Sequence, residues 1–518
     1  MDFSSNLTAI PGLLVLILSL LVWKHRLNST KKTKVAPTPS GALPIIGHLP
    51  QLSKPIPLAR TLGSMADKYG PIFTIRLGMH RVLVISDSEA VKECFTTHDR
   101  VLASRPISSH AKYLGYNSAG FGFAPYGAFW RNIRKIVMLE LLSSQRLSTL
   151  KEVQVSEVNN LVSDLYLLCK NEIGPIKVVI SDYFERTTLN IITRMIAGKR
   201  YFGSVGGDDE EAQRVGKIIK GFMYISGAFA LSDLIPFLGW LDFMQPTVKY
   251  MKRIFRELDS VAESWVEEHK LKRIDDADPN SKQDFIDVML SAIYEDSMSG
   301  HSRETIIKAT VLNLIIAGAD TTSTAITWIL SNLLNNRHTL KLAQEELDQK
   351  VGRDRLVQDS DLENLVYLQA IIKETLRLYP PGPLLVPHIG SEDCTISGYH
   401  LPKGTRVFVN AWKMHRNPDV WSNPDEFMPE RFLTSNANVD VLGQHFELLP
   451  FGSGRRSCPG MTFALQVVHL MVGRLVQGFE FSTPGDGPVD MSEGLGITLP
   501  KASPLEVMVS PRLCSDLY

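Results

Sequence analysis

Cysteine is scarce in this chain. The five present, Cys94, Cys169, Cys394, Cys458 and Cys514, are scattered and odd in number. That pattern argues against a disulfide framework and for a reducing compartment around the folded part. Neither sign of charge is in excess, with Lys+Arg and Asp+Glu at 55 each. No global field therefore draws the protein to nucleic acid. Internal repeats and low-complexity tracts are missing, which sets aside a repeat array. The one dense charge run, Arg273-Ile274-Asp275-Asp276-Ala277-Asp278, reads as a polar surface loop.

Basic residues are also missing ahead of the first apolar run, where Asp2 stands instead. A cleaved secretory signal would carry positive charge there and a small-residue cleavage site afterwards; neither is evident. The run itself, Leu7 to Trp23, is charge-free and leads into Lys24, His25, Arg26, Lys31, Lys32 and Lys34. As a helix it would measure ~26 Å, just short of a ~30 Å hydrocarbon core that flanking residues can complete. The basic flank holds everything after Lys24 in the cytosol and sends the tip to the lumen. Residues 1–30 are thus expected to be a signal anchor, and 31–50, rich in Pro and Gly, a semi-rigid hinge. Residues 51–518 would form the folded part; length alone suggests two or three domains.

Apolar periodicity predicts helices over Val153–Lys170, Thr247–Lys270, Asp284–Tyr294, Glu304–Leu334, Leu340–Val351 and Leu362–Leu378. Glu304–Leu334 could pass for a second membrane span. Asp320 at its centre would cost ~2.5–3.5 kcal/mol there, so a helix through the protein interior fits better. Ile72–Leu77 and Arg81–Ser86 are β-rich runs about a Gly78-Met79-His80 turn, and Thr405–Val409 adds a strand to the same lobe.

The richest stretch is Phe451-Gly452-Ser453-Gly454-Arg455-Arg456-Ser457-Cys458-Pro459-Gly460, at the mouth of the apolar helix Met461–Leu475. Glycines let backbone N–H groups approach the sulfur and stabilise its charge. A helix N-terminus adds partial positive charge, and a neighbouring arginine can bind a carboxylate. Such a loop suits a thiolate that holds a metal. On the interior helix, Ala317-Gly318-Ala319-Asp320-Thr321-Thr322 sets an acid beside a hydroxyl, which can relay protons. Small residues there let a ligand approach the backbone. Glu374 and Arg377 share a helix face at i, i+3, and Arg431 of Pro429-Glu430-Arg431-Phe432 can join them. Trp130 and Arg134 share another face at i, i+4.

The cysteine loop resembles the haem-binding loop of the cytochrome P450 family, with Phe451, Gly454, Arg456, Cys458 and Gly460 all matching its pattern. Ala66-Asp67-Lys68-Tyr69-Gly70-Pro71 and Leu378-Tyr379-Pro380-Pro381-Gly382-Pro383 look like the plant microsomal type. That branch holds nicotine N-demethylases and flavonoid, coumarin, terpenoid and alkaloid hydroxylases. The resemblance implies one large, mainly α domain with a small β lobe, a triangular helix-rich prism around a buried haem b. It implies Cys458 as the axial ligand of the iron. Trp130, Arg134 and Arg456 would contact the haem propionates, as would His388, although Ile389-Gly390 follow it where plant members usually carry an acid. Thr321 would sit beside dioxygen with Asp320 supplying protons, and Glu374, Arg377 and Arg431 would form a buried structural triad.

The function so implied is NADPH- and O2-dependent monooxygenation of a small hydrophobic plant metabolite. Electrons would come from NADPH–cytochrome P450 reductase at the endoplasmic reticulum membrane, with Arg131, Lys135 and Arg455 as docking charges. Tyr116, Phe121 and Phe123 of the Tyr113–Tyr126 loop, with Ala317, Leu384, Leu385, Val386, Leu495 and Ile497, are expected to line an apolar pocket. Phe222–Phe243 reads as a lid dipping into the membrane surface. One rival is a haem-thiolate isomerase or dehydratase that needs no reductase; such enzymes tend to lack the central threonine, so Thr321 argues against it. The other is a non-catalytic haem-binding scaffold.

Overall fold

The computed structural model describes residues 34–203, 210–275, 283–293 and 297–518; the expected anchor over Leu7–Trp23 lies outside them. One helix, Arg303–Asn335, organises the rest. Ser302 caps it by accepting from the Thr305 N–H, and Glu304 in the first turn meets the positive end of its dipole. Among the described residues it is the one helix long and apolar enough to cross a bilayer. Its apolar surface is instead spent inside the fold, against Ile180–Ala197, Pro246–Asp275, Val366–Leu378 and Met461–Gly478. The approach to Ile180–Ala197 is tight: a Cβ on Gly318 would lie 3.2 Å from Ile192 Cδ1. Gly318 is therefore a packing glycine. The sequence reading, in which it opens the backbone to a ligand, is corrected.

The other periodic segments are helices with shifted ends: Lys151–Cys169, Phe285–Ala292, Arg337–Lys350 and Val366–Leu378. A reciprocal capping box between Asp284 and Asp287 sets the start at Phe285. Pro246–Asp275 runs into the charged stretch that sequence alone assigns to a loop. Lys272 and Arg273 in its last turn complement the negative end of the dipole, which favours helix over loop there.

The β lobe is a four-stranded sheet. Ile72–Leu77 pairs antiparallel with His80–Ile85, in the register Ile72 to Ile85 and Leu77 to His80. Arg406–Val409 lies parallel to the second strand, and His388–Ile389 closes the far edge antiparallel. Gly78 turns the hairpin at φ +62°, and a Cβ there would run into the Leu234 carbonyl. The proline-rich segment is docked on this sheet from Lys34 onward: Thr74 N–H donates to Pro37 O (2.7 Å), and fully buried His48 accepts from Arg76 N–H (2.9 Å). A second sheet, Ile176–Val179 with Phe479–Ser482 and Glu506–Pro511, carries too short an apolar pattern to be read from sequence.

Glu374, Arg377 and Arg431 meet in the interior, none more than 3% exposed. Arg377 donates to both carboxylate oxygens of Glu374 (2.7 and 2.8 Å), and Arg431 Nε donates to one of them (3.1 Å). The remaining guanidinium N–H groups go to the carbonyls of His415, Pro424, Glu426 and Ser422. His415 carries the connection onward: its Nε2 accepts from the Leu449 N–H (2.9 Å), two residues before Phe451. Burial and the flanking Arg377 and Arg416 push that imidazole down to about 3, which keeps Nε2 an acceptor. A charge pair on one helix thus fixes the approach to the cysteine loop. Glu374→Ala leaves two buried guanidiniums without their carboxylate and is expected to cost ~3–5 kcal/mol. Thermal unfolding followed by circular dichroism checks this, with the exposed pair partner Arg353→Ala as a near-neutral control.

Candidate active site

The cysteine loop is shaped by two glycines in the left-handed region, Gly452 and Gly454, both at φ +68°. At Gly454 a Cβ would fall 2.5 Å from Asp99 Oδ1, the atom that accepts the Arg455 N–H at 3.0 Å. The loop then turns back so that Cys458 N–H donates to Phe451 O (2.9 Å). Gly460 leads into Met461–Gly478, a helix with no side-chain cap at its N-terminus, so its first amides stay directed at the loop. Cys458 keeps partial surface access although it is enclosed by protein, as a side chain lining an internal space does. Burial pushes its thiol up, while the Gly460 N–H and Arg134 pull it down.

Beside the cysteine lies an accumulation of half-buried positive charge, Arg105, Arg134 and Arg456. Arg456 spends its guanidinium on the carbonyls of Ala103 (2.6 Å), Phe121 (3.1 Å) and Ala124. Arg134 donates to Ser457 O (2.8 Å), and Arg105 to the carbonyls of Val386 (2.7 Å) and Pro387 (2.9 Å). Burial lowers all three, Arg456 to about 9, and Arg105 well below its usual value with Arg456 and Arg134 adding to the effect. Among the described residues no carboxylate pairs with any of them. Two donors are left bare as well: Arg105 Nε and the indole N–H of Trp130 are buried without a partner. Trp130 lies under both the Arg456 and Arg134 guanidiniums, at 4.4 and 5.4 Å. His388 borders the same group; its Nδ1 donates to Leu102 O (2.7 Å), and burial beside Arg105 holds it far below its usual value. Half-buried like charges beside two buried, orphaned donors call for an anion. A metalloporphyrin with two propionates, held by Cys458 at the metal, fits both the charge and the free donors. Arg105 was missed from sequence, because a single arginine before a proline has no local pattern.

The central helix presents Ala317 as its exposed position amid buried neighbours. Thr321, one turn on, donates to Ala317 O (2.7 Å). Asp320 points elsewhere: Thr498 donates to its Oδ2 (3.0 Å), and it borders a cavity of about 220 Å³ lined in part by Glu185, Lys217, Lys220 and Ser323. Acid and hydroxyl are sequence neighbours whose side chains do not bond to each other. They stand as two separate hydrogen-bonded groups on one turn of the helix.

The expected pocket residues divide. Tyr116 is spent elsewhere, its hydroxyl donating to Asp259 (2.7 Å) within a cluster that includes Lys308. Phe121 is buried, and Phe123 packs on Gly115. Leu385 sits at φ +48° beside exposed Val386. Ile497 N–H donates to Met223 O (3.3 Å), which joins the C-terminal loop to the segment expected to act as a lid. That segment is pinned at Asp233, which accepts from Ser109 N–H (2.7 Å). It exposes Phe237, Trp240, Phe243 and Met244, each by at least 60%.

The fold and the charge of the site suit a haem protein, and comparison gives the family. The sequence pattern of the cytochrome P450 family matches residues 37–507. A cytochrome P450, CYP82J17 from Trigonella foenum-graecum, is 54% identical over 97% of both chains. Xanthotoxin 5-hydroxylase CYP82C2 from Arabidopsis thaliana is 52% identical over 95% of this chain and 96% of its own. A zebra fish cytochrome P450 solved with progesterone superimposes with a TM-score of 0.73 at 28% identity, over 88% of this chain and all of that one. The chain belongs to the cytochrome P450 family and is a monooxygenase.

Two outcomes test the site. Folding raises the Asp320 carboxyl to about 6, chiefly through burial, so its charged form costs stability above that pH and nothing below about 4. Asp320→Asn should raise the thermal midpoint at pH 8, with the gain fading as pH falls from 6 to about 4; a gain independent of pH would contradict the assignment. Arg105→Leu should weaken porphyrin retention about tenfold on dilution, with the far-ultraviolet circular dichroism unchanged.

Proposed function

We propose that this protein is a plant microsomal monooxygenase that inserts one oxygen atom of O2 into a small hydrophobic specialised metabolite of the alkaloid, coumarin or terpenoid kind. The observation that carries the reading is the cluster of Arg105, Arg134, Arg456 and Trp130 beside Cys458, with no paired carboxylate among the described residues. Bound there, haem b would supply dioxygen activation, which a thiolate ligand such as Cys458 would favour by donating electron density.

The chain's own residues do the rest. The cluster and His388 would hold the propionates, and Cys458 would hold the iron. Gly454 and Gly460 shape the loop, and Phe451 accepts the Cys458 N–H. Thr321 offers its hydroxyl on the exposed face of the central helix. Asp320, with a carboxyl near 6, can take and release a proton at physiological pH toward the cavity that holds Glu185 and Lys220. The Glu374–Arg377–Arg431 triad holds the loop's approach in place.

Electrons are supplied by NADPH through a reductase docking near Arg131 and Lys135, both exposed. Arg455, the third expected docking charge, is paired with Asp99 at 3.1 Å and contributes less. Residues 1–30 anchor the protein in the endoplasmic reticulum membrane, 31–50 lead from it, and 51–518 carry catalysis in the cytosol. The exposed Phe237, Trp240, Phe243 and Met244 rest on the bilayer, consistent with a hydrophobic substrate arriving from it.

Microsomes containing the protein and its reductase, given NADPH and ¹⁸O2, should yield product carrying one label. Thr321→Ala should divert NADPH consumption toward peroxide or water at unchanged haem content. Cys458→Ala should lose the red-shifted band of the reduced carbon monoxide complex. Product free of label would overturn the oxygenase reading.

A further inference from the structure

Helix Pro246–Asp275 and the start of Phe285–Ala292 meet at one buried imidazole. His269, 1% exposed, has both ring nitrogens against oxygen: Nδ1 lies 2.6 Å from Trp265 O, and Nε2 lies 2.6 Å from Asp284 Oδ2. A carbonyl and a carboxylate can only accept, and a neutral imidazole has one N–H. Two acceptors at hydrogen-bond distance therefore require a second proton on the pair, whether it is drawn on Nε2 or on the carboxyl. Asp284 is at the same time the N-cap of Phe285–Ala292. Its Oδ1 accepts from Asp287 N–H (3.2 Å), and Asp287 Oδ2 accepts from Asp284 N–H in return (3.3 Å). Gly198, at φ +62°, ends Ile180–Ala197 against the same carboxylate, where a Cβ would fall 3.1 Å from Oδ2. The helix so capped packs on Ile180–Ala197, on the central helix and on Ala128–Glu140, which carries Trp130 and Arg134.

The other charges around the pair are engaged elsewhere. On the same helix, Glu268 pairs with Lys199, which follows Ile180–Ala197, and with Lys272 (3.2 Å). Lys270 pairs with Glu267 (2.7 Å) and with Glu304 of the central helix. Arg303 donates to Leu290 O, and Arg273 lies 4.0 Å from Asp287 Oδ1. Asp284 and Asp287 are thus the charges that act on His269. Burial opposes a second proton on the imidazole, and the bond to Asp284 together with its charge outweighs this, so His269 is held above its ordinary value. We propose that His269 and Asp284 form a pH-sensitive fastener, which holds the N-terminus of Phe285–Ala292 while the pair keeps its extra proton and releases it when that proton leaves. Its contribution is complete below about 6.5, the ordinary imidazole value, and is lost as pH rises through the higher value of the folded state. One proton taken up on closing changes the opening equilibrium by at most about tenfold per pH unit.

Asp284→Asn keeps the cap, because an amide oxygen still accepts from Asp287 N–H, and its NH2 can donate to a neutral Nε2, so no extra proton is needed. His269→Gln removes the titrating group. Hydrogen–deuterium exchange on the full-length, detergent-solubilised protein, corrected for the intrinsic pH dependence of amide exchange, reads the opening of peptides covering 283–293. Between about pH 6 and 8.5 opening should grow at least about fivefold in the wild type and change less than about twofold in both variants. Peptides from 323–334, in the central helix, report whether each variant is folded; if one is not, the other is read alone against the wild type. A wild type whose opening is independent of pH, or a folded variant that opens with pH as the wild type does, overturns the proposal. Loss of protection in 283–293 on adding EDTA at about pH 6.5 overturns it as well, since a metal would then stand where the proton is assigned. Neither measurement needs turnover, so a failed labelling experiment leaves both readable.

Discussion

Three half-buried guanidiniums share one region with no carboxylate among the described residues to balance them, and the rest of the site is arranged around that imbalance. Each arginine is held by backbone carbonyls, which satisfy hydrogen bonds without neutralising charge. Their mutual repulsion shows in Arg105, which Arg456 and Arg134 push down together. A fold tolerates such an arrangement when a bound anion completes it. Cys458 lies below the same cluster, enclosed but accessible from within, where one planar dianionic cofactor can meet both.

The remaining architecture keeps those parts in register. The Glu374 carboxylate neutralises one arginine pair deep in the core and passes order through His415 to Leu449, at the root of the cysteine loop. The central helix serves three directions at once. Gly318 lets Ile180–Ala197 close in, Asp320 turns to Thr498 and a polar cavity, and Asn313, Ala317 and Thr321 line the internal face. The Asp320 carboxyl and the Thr321 hydroxyl thereby make their bonds to different partners.

Much of this was legible in the sequence because it is written locally. The cysteine loop is ten contiguous residues, and the long helices repeat their apolar period over many turns. What was misread depends on distant contacts. Gly318 is indistinguishable in sequence from a ligand-facing glycine until Ile192 arrives beside it. Tyr116 has the composition of a pocket aromatic, yet Asp259, far along the chain, takes its hydroxyl. Arg105 and Asn313 carry no motif at all; only the fold brings one beside Arg456 and Arg134 and the other to Gly122. The short strands of the second sheet gain their stability from pairing, which four to six residues cannot announce.

The central claim is that buried cationic donors above Cys458 exist to bind the carboxylates of a porphyrin. Reconstituting the haem-depleted protein with iron protoporphyrin IX and with its dimethyl ester, which lacks both charges at similar shape, measures that directly. The ester should bind at least about tenfold more weakly. Equal affinity for the two would contradict the account.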